Sequence, residues 1–427
     1  MRNVRDGANH ATGVTLAVLT LPVIRRRSVM THHQARYASS ATRVLITGAL
    51  ALTTIAAVAC RSEATVSPDM SSVVALRAIP PSHRTVPTTP SAPPDPRALP
   101  AYFPPLDGTA WDTIAPAQLG YDTAALTAAL DWAGTQQSTA VVILWRGRIV
   151  AERYWRGWTM SKDSIIASAT KSVISTIAGE LVKEGRLTLD NSVTSYLGAG
   201  WSRSPSTESR ITVRHLLGMM SGLDDSLKFV AQPGTRFYYN TPAYYQLDAV
   251  LEAASGQRVP ALSKAMLFDR IGMNTANWKF NLDVGEMGLI LSCSARDMAR
   301  FGLLALNRGR WNGTPILADS AWYAAAWHQV PPDNGGYGLL WWLNGSSSYR
   351  IPGSYLLPTV PGPLFPAAPA DLVAALGKGD KKIYVIPSLE LVVVRHGNEA
   401  DPNGGNPAAA SAFDEQWWLR LKQAFRY

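Results

Sequence analysis

The fold is decided by the stretch Ser168-Ala169-Thr170-Lys171-Ser172-Val173-Ile174, in which a serine and a lysine stand three residues apart. Apolar residues recur after it at three- and four-residue steps as far as Gly185, which predicts a buried helix whose first turn holds Ser168. Residues i and i+3 of a helix share a face, with Cβ atoms about 5 to 6 Å apart, so the Lys171 amine can reach the Ser168 hydroxyl. The free amides of a helix N-terminus favour an oxyanion and disfavour a nearby ammonium ion. The pattern predicts a serine nucleophile with a lysine base, although a capping serine followed by a solvated lysine gives the same spacing.

The composition indicates a globular protein with a basic N-terminal appendage. The chain has 427 residues, of which 47% are hydrophobic and 17% charged, enough to bury a large core in one or two domains. Its formal net charge is +9, but residues 1–61 hold eight arginines and one aspartate and so carry seven of those charges. Because the remainder is nearly neutral, we expect no nucleic-acid partner.

Residues 1–60 have the pattern of a targeting segment. An apolar run of about 16 residues ends in Ala57-Val58-Ala59-Cys60, where small residues precede a cysteine. This pattern resembles a bacterial lipoprotein signal peptide, which implies lipidation at Cys60 and a lipid anchor in the bacterial cell envelope. A transmembrane anchor is the alternative, but the run is shorter than the roughly 20 residues that a spanning helix needs. Met30 precedes the run by a conventional signal length, so we expect translation to start there.

A proline-rich stretch separates this segment from the folded part. Residues 61–104 are rich in Pro, Ser, Thr and Ala and cannot bury much apolar surface, which predicts an extended tether. Residues 105–427 are then the folded domain. Its one cysteine is Cys293, and the seven histidines of the chain lack the spacing of metal ligands, so we expect no metal, no cofactor and no disulfide framework.

Two β-hairpin patterns stand near opposite ends of the domain. Residues 140–145 and 149–154 form the first pattern, and residues 382–386 and 391–395 form the second. Most segments between them have helical patterns, and residues 409–425 predict a closing helix. The simplest assembly is an α+β fold: one antiparallel sheet built from the N- and C-terminal segments, flanked by helices, with a mainly helical middle subdomain.

A second polar motif follows the serine by some 70 residues, in the stretch Gly234-Thr235-Arg236-Phe237-Tyr238-Tyr239-Asn240. Tyr238 and Asn240 are two residues apart on a predicted loop, so both side chains can face one cleft. Taken alone, the same pattern fits a tyrosine that caps the core.

Together, these motifs resemble the serine β-lactamase and penicillin-binding-protein superfamily, in the branch of class C β-lactamase-like esterases and 6-aminohexanoate-dimer hydrolases. The resemblance extends from about Pro105 to the C-terminus. It rests on several stretches in the family's order, namely residues 147–154, 168–172, 211–217, 221–223, 295–302, 384–387 and 391–394.

The resemblance implies a role for each polar residue. Ser168 matches the acylated nucleophile, and Lys171 matches the lysine that shares its proton. Tyr238 matches the tyrosine that passes a proton between nucleophile and leaving group, and Asn240 matches the amide that orients the substrate. An oxyanion hole would combine the backbone amide of Ser168 with one from the strand near Gly377.

The sequence departs from the family's pattern on the strand that lines the site. The best-known members carry Lys-Thr-Gly or His-Thr-Gly there, and this chain has Ala375-Leu376-Gly377-Lys378-Gly379. Gly377 permits close approach of a substrate to the backbone. Lys378 either supplies the missing cation from a shifted position or is a solvated turn residue. Trp341 is a candidate wall of the substrate pocket, and core packing is its alternative.

These observations predict a membrane-tethered serine hydrolase that cleaves an ester or a small amide through an acyl-serine intermediate. The missing cation and hydroxyl favour such substrates over β-lactams and D,D-peptides. Two alternatives stay open: a cell-wall D,D-peptidase or β-lactamase, and a non-catalytic envelope lipoprotein that keeps the fold as a binding module. A binder has no need of a serine, a lysine, a tyrosine and an asparagine in these places, which favours the enzyme.

Overall fold

The computed structural model describes residues 95, 98–280, 288–353, 357–400 and 411–427, all within one compact unit that spans Thr88–Tyr427. The predicted targeting segment, including Met30 and Cys60, lies outside the described residues, as does most of the predicted tether.

Strands concentrate at the two ends of the described chain, and helices fill the middle. The strands are β1 (Ser138–Trp145), β2 (Arg148–Tyr154), β3 (Ser164–Ile165), β4 (Asn277–Phe280), β5 (Leu289–Cys293), β6 (Arg310–Trp311), β7 (Thr314–Pro315), β8 (Trp342–Leu343), β9 (Ser348–Tyr349), β10 (Val360–Pro361), β11 (Val373–Gly377), β12 (Lys381–Ile386) and β13 (Leu391–Gly397). The α-helices are α1 (Thr123–Thr135), α2 (Thr170–Lys183), α3 (Thr194–Leu197), α4 (Pro205–Glu208), α5 (Val213–Leu217), α6 (Thr241–Tyr244), α7 (Gln246–Ser255), α8 (Val259–Ser263), α9 (Asp269–Ile271), α10 (Ala295–Leu306), α11 (Ser320–Ala326) and α12 (Ala412–Phe425). Short 3-10 turns occur at Pro116–Leu119, Ala167–Ala169 and Pro387–Leu389, and a π turn at Lys264–Phe268.

A six-stranded antiparallel sheet joins the two terminal hairpins. Its strand order is β2-β1-β13-β12-β11-β8, so the C-terminal hairpin pairs directly with β1. Val142 lies opposite Val394, and Val394 lies opposite Ile383 on the next strand. Both β1 and β13 are buried along their whole length, because helices cover both faces of the sheet. The predicted α+β fold with a shared sheet is confirmed.

The two faces of the sheet have different helical covers. On one face, α12 is fixed by a buried polar contact, in which Lys382 Nζ donates to Asp414 2.9 Å away and the Tyr384 hydroxyl donates to the same carboxylate. On the opposite face, α10 approaches so closely that a Cβ at Gly302 would lie 2.5 Å from a Val392 methyl carbon. Successive residues of a strand point to opposite faces, so Lys382 and Ile383 face different helical layers.

The N-terminal edge of the domain begins earlier than the sequence predicts. The Tyr102 amide donates to Arg146 O at 2.8 Å, and the Arg146 guanidinium donates to Leu99 O at 2.9 Å. The segment from Leu99 to Pro104 is therefore attached to the first hairpin, and the predicted tether, residues 61–104, is too long at its C-terminal end.

The middle subdomain is mainly helical, as predicted. Residues 241–255 form two helices, α6 and α7, with Tyr245 between them. In the part of the chain that the structure describes, no helix is both long and apolar enough to span a bilayer.

Candidate active site

The turn Ala167–Ala169 holds the candidate nucleophile Ser168 and is called the nucleophile turn; hydrogen bonds on both sides of it fix it to β5 at the start of α2. The Ile166 amide donates to Leu291 O at 2.9 Å, and the Leu291 amide donates to Thr170 Oγ1 at 3.1 Å. Strand β5 is therefore hydrogen-bonded to the residues on both sides of the turn. Ala167 has a φ of +50°, a left-handed conformation that costs energy in a residue with a side chain. Backbone strain of this kind is concentrated at functional sites, where the surrounding structure enforces it.

Ser168 and Lys171 are in direct contact. Lys171 Nζ donates to Ser168 Oγ at 3.1 Å, and Lys171 is only 4% exposed, whereas Ser168 is partly exposed. The 3-10 turn that leads into α2 therefore presents a reachable hydroxyl, and the buried amine of the first turn of α2 lies behind it. This is the arrangement in which an amine can take the proton of an attacking hydroxyl.

Two aromatic rings enclose the Lys171 amine. Its Nζ lies 5.1 Å from the ring centre of Tyr239 and 4.5 Å from that of Tyr244, both within the range of cation–π attraction. The Tyr239 ring in turn stacks on Trp342, with ring centres 5.8 Å apart. Lys171 is thus held in position by aromatic packing as well as by its bond to Ser168.

Tyr239 and Tyr244, rather than the predicted Tyr238, are the tyrosines whose rings lie against Lys171. The Tyr238 hydroxyl bonds to Asp225, and burial together with the charges of Asp225 and Asp224 raises the pKa of Tyr238 to about 12. Neighbouring side chains of an extended segment point to opposite sides, so only one of two consecutive tyrosines can face the amine. The sequence has two consecutive tyrosines, Tyr238 and Tyr239, and the Tyr-x-Asn spacing pointed to the wrong one of the two.

Asn240 is a structural residue, which corrects its predicted role as an amide that orients substrate. Its Nδ2 donates to Leu223 O at 2.7 Å and to Asp224 O at 2.9 Å, and its Oδ1 accepts from the Ala243 amide at 2.8 Å. The side chain is 1% exposed, and both amide hydrogens are already used. Asn240 therefore caps α6 and ties it to the preceding loop, and nothing in it is open to a substrate.

Gly377 lies directly against the nucleophile turn. A Cβ at this position would stand 2.2 Å from Ile166 O and 3.2 Å from Ala167 Cβ, so only glycine allows this close approach. Strand β8 pairs with Val373 and Ala374 of β11. Within the described residues, that pairing leaves the edge of β11 at Gly377 uncovered by β8. This edge and the Ser168 amide are the candidate donors to an oxyanion.

The other two predicted substrate-binding residues, Lys378 and Trp341, lie in a solvent-exposed turn and in the core, respectively. Lys378 is exposed in the turn between β11 and β12, which fits the solvated alternative. Trp341 is 0% exposed and stacks on Phe301 with ring centres 5.9 Å apart, so it belongs to the core and its predicted place in a pocket wall is wrong. Its neighbour Trp342 points the other way, to Tyr239, since side chains alternate along a strand.

The described residues contain no group of three or more His, Cys, Asp or Glu side chains placed to hold a metal ion. His215, which lies within the family-like stretch 211–217, accepts a hydrogen bond from the Thr212 amide at Nδ1 at 3.1 Å and so caps α5. Burial lowers the pKa of this histidine. Its contacts are those of a packed helix residue.

Comparison with known proteins identifies the family of the chain. The sequence model described as Beta-lactamase matches residues 123–414. A curated, uncharacterised protein of Alkalihalophilus pseudofirmus is 23% identical over 307 residues, which cover 62% of this chain and 86% of that protein.

Two solved structures show the same fold. A candidate β-lactamase from Bacteroides dorei superimposes with a TM-score of 0.57 at 18% identity, covering 72% of this chain and 100% of that one. A Bacillus anthracis protein named as a candidate 6-aminohexanoate-dimer hydrolase has a TM-score of 0.53 at 21% identity, covering 65% of this chain and 77% of that one. The family match spans the nucleophile turn, the middle subdomain and the C-terminal hairpin, and this chain is therefore a member of the beta-lactamase family.

Proposed function

We propose that this protein is a serine hydrolase that transfers the acyl group of an ester or a small amide to Ser168 and then to water. The observation that carries the proposal is the 3.1 Å contact between Lys171 Nζ and the partly exposed Ser168 Oγ. A serine hydroxyl is a weak nucleophile until a base takes its proton, and Lys171 is the base within reach.

Acylation begins when the Lys171 amine takes the proton of Ser168 while Oγ attacks the substrate carbonyl carbon. The carbonyl oxygen becomes an oxyanion, which the Ser168 amide and the edge of β11 near Gly377 stabilise. The bond to the leaving alcohol or amine then breaks, and a proton from Lys171 reaches that group through the Tyr239 hydroxyl. We assign this part to Tyr239 because its ring lies beside Lys171 Nζ and is partly exposed, whereas Tyr244 is buried.

Deacylation repeats the sequence with water in place of the serine. Lys171 takes a proton from water, and the resulting hydroxide attacks the acyl carbon. The ester bond to Ser168 breaks, and Oγ recovers its proton from Lys171. The products are a carboxylic acid and the free enzyme, and no step uses a metal or a cofactor.

The residues around the site favour esters and small amides over β-lactams and D,D-peptides. Stretch 375–379 lacks the Lys-Thr-Gly or His-Thr-Gly pattern, and Lys378 is exposed to solvent in the turn. The Bacillus anthracis structure is named for the hydrolysis of a 6-aminohexanoate dimer, which is in keeping with a small linear amide. We further propose that lipidation at Cys60 tethers the enzyme in the bacterial cell envelope, on the strength of the Ala57-Val58-Ala59-Cys60 pattern.

The test combines labelling with turnover. We expect a fluorophosphonate probe to label the wild-type protein, and 4-nitrophenyl butanoate to release an initial burst of one nitrophenol per enzyme with a mass adduct on Ser168. Ser168→Ala abolishes both signals, and nitrocefin and fluorescent penicillin measure β-lactam reactivity in parallel. A folded wild-type protein that neither labels nor turns over any of these compounds would favour the binding-module alternative and contradict the hydrolase.

A further inference from the structure

On the sheet face that meets the nucleophile turn, Gly377 has a lysine, Lys381, as its neighbour on the next strand. Gly377 and Lys381 are direct cross-strand partners on β11 and β12. Partners opposite each other in an antiparallel pair present their side chains on the same face. Because the Cβ direction of Gly377 points at Ile166 O and Ala167, Lys381 projects from the same face as the nucleophile turn. It lies one strand spacing, about 5 Å, further from that turn.

The neighbouring lysine has a different task. Lys382 projects from the opposite face, where its Nζ is 2.9 Å from Asp414 and 3.3 Å from Asp380. The Asp380 carboxylate also accepts from the Ala400 amide and the Ser411 hydroxyl. Lys382 therefore fixes α12 to the sheet, and the Asp380 carboxylate is bonded to groups on that same face.

The Lys381 amine lies over the turn between the two strands. A Cβ at Gly379 would stand 2.6 Å from Lys381 Nζ, so the side chain folds across this glycine, toward the end of β11 where Gly377 lies. The residue is half-buried, and burial lowers its pKa. Among the residues that the structure describes, no carboxylate lies within 4 Å of this amine, and the charges of Asp380 and Glu399 act on it only from longer range.

A half-buried ammonium ion loses part of its hydration, and such groups are normally paired. From its position beside Gly377, we propose that Lys381 binds an anionic group of the substrate, a carboxylate in the first place. The inference rests on the proposed hydrolase function and defines its substrate class.

The strand order indicates which part of the substrate carries the charge. Tyr239, which passes the proton to the leaving group, packs on Trp342 of β8 at one side of β11. Lys381 stands on β12 at the other side of β11. The leaving group lies toward Tyr239, so the acyl portion extends toward Lys381. The substrates are therefore half-esters or half-amides of dicarboxylic acids.

Matched pairs of esters test this assignment. The 4-nitrophenyl monoesters of succinic, glutaric and adipic acids carry a terminal carboxylate, and the 4-nitrophenyl esters of butanoic, pentanoic and hexanoic acids are neutral counterparts of similar length. We expect the wild-type protein to prefer at least one anionic ester over its counterpart, mainly through a lower KM, with the preference falling as salt is added. Lys381→Met lowers kcat/KM for that ester by tenfold or more and changes the neutral esters by less than threefold.

Lys378→Met is the matched control, because it removes the same charge from an exposed position in the same turn. We expect Lys378→Met to leave kcat/KM for the anionic and the neutral esters within twofold of the wild-type values. Lys381→Arg should keep a preference for the anionic ester. Equal losses on both classes in Lys381→Met, at an unchanged melting temperature, would overturn the anion site and leave the hydrolase standing. If the wild-type protein showed no preference for the anionic esters, the anion site would likewise be overturned and the hydrolase would stand. If it hydrolysed no ester at all, both proposals would be overturned.

Discussion

The Lys171 amine lies over the face of the Tyr239 ring, with Nζ 5.1 Å from the ring centre and 3.1 Å from Ser168 Oγ. The amine therefore contacts the proposed nucleophile and a phenol together. We propose that a proton that leaves Ser168 passes through Lys171 to the Tyr239 hydroxyl.

Replacement of Tyr239 by phenylalanine should remove that route while keeping the ring that packs on Lys171 and Trp342. We expect Tyr239→Phe to lower kcat about 100-fold or more, because a positioned acid–base group typically contributes a factor of about 100 to 10,000. Tyr238→Phe is the matched control. It removes a hydroxyl bonded to Asp225 and should change kcat less than fivefold. Ester turnover at saturating substrate measures both, and a larger loss in Tyr238→Phe would return the proton-transfer role to Tyr238.

Asp248 is a buried carboxyl one helical turn after Tyr244, the second ring that faces Lys171. Burial raises the pKa of Asp248 to about 7, with a further increase from Glu252, against the opposing effects of the Leu289 amide and the Lys171 charge. In the unfolded chain an aspartate has a pKa of about 3.9. Between these two values the unfolded state releases the proton and the folded state keeps it. The stability that this group contributes is therefore complete below about pH 4 and is lost as the pH rises through 7.

Asp248→Asn should remove this pH dependence, since the amide has nearly the same shape and does not titrate. We expect the free energy of unfolding of the variant, relative to that of the wild type, to rise between pH 4 and pH 8 by up to about 4 kcal/mol, as proton linkage requires. Chemical denaturation at the two pH values measures the difference. The exposed Asp112→Asn is the control and should show little change. If the difference in free energy of unfolding between variant and wild type stayed constant from pH 4 to pH 8, the raised pKa of Asp248 would be contradicted.

Asn240→Ala should destabilise the protein without selecting among substrates. The variant loses the cap of α6 and leaves Leu223 O and Asp224 O without their buried donor. A lost cap and unsatisfied buried carbonyls together cost about 2 to 4 kcal/mol. Thermal unfolding measures the loss, and Asn274→Ala, which removes one exposed bond to Leu106 O, should cost far less. If Asn240→Ala instead kept its melting temperature and raised KM for amides only, the substrate-orienting role would be restored.

The sequence was most informative where a single periodic pattern determines the structure. The terminal hairpins and the pair Ser168 and Lys171 follow from alternation and helical spacing, because both are local geometric rules. The choice between Tyr238 and Tyr239 and the choice between Trp341 and Trp342 depend on which face of an extended segment meets the site. A one-residue shift reverses that face, and tertiary packing sets it.

The same reason explains why the sequence points to Lys378 and not to Lys381 as a substrate-binding cation. Lys378 is closer in sequence to Gly377, but its position in the turn directs it to solvent. Lys381 faces the nucleophile side only because β11 and β12 pair in the register that sets it opposite Gly377. That register is a property of the folded sheet and cannot be counted along the chain.

Gly377→Ala should impair catalysis more than folding. The added methyl would lie 2.2 Å from Ile166 O, a backbone atom of the nucleophile turn, so β11 and the turn must move apart. A displacement of about 1 Å at a catalytic centre can cost about 100-fold in rate, and we expect a loss of that size in kcat/KM for neutral esters. Gly302→Ala is the matched control, because its methyl would meet Val392 in the core between α10 and β13. It should lower the melting temperature and leave kcat/KM of the folded enzyme within threefold. Similar losses of activity in the two variants would show that general loosening of the fold, rather than the contact between Gly377 and the nucleophile turn, limits the reaction.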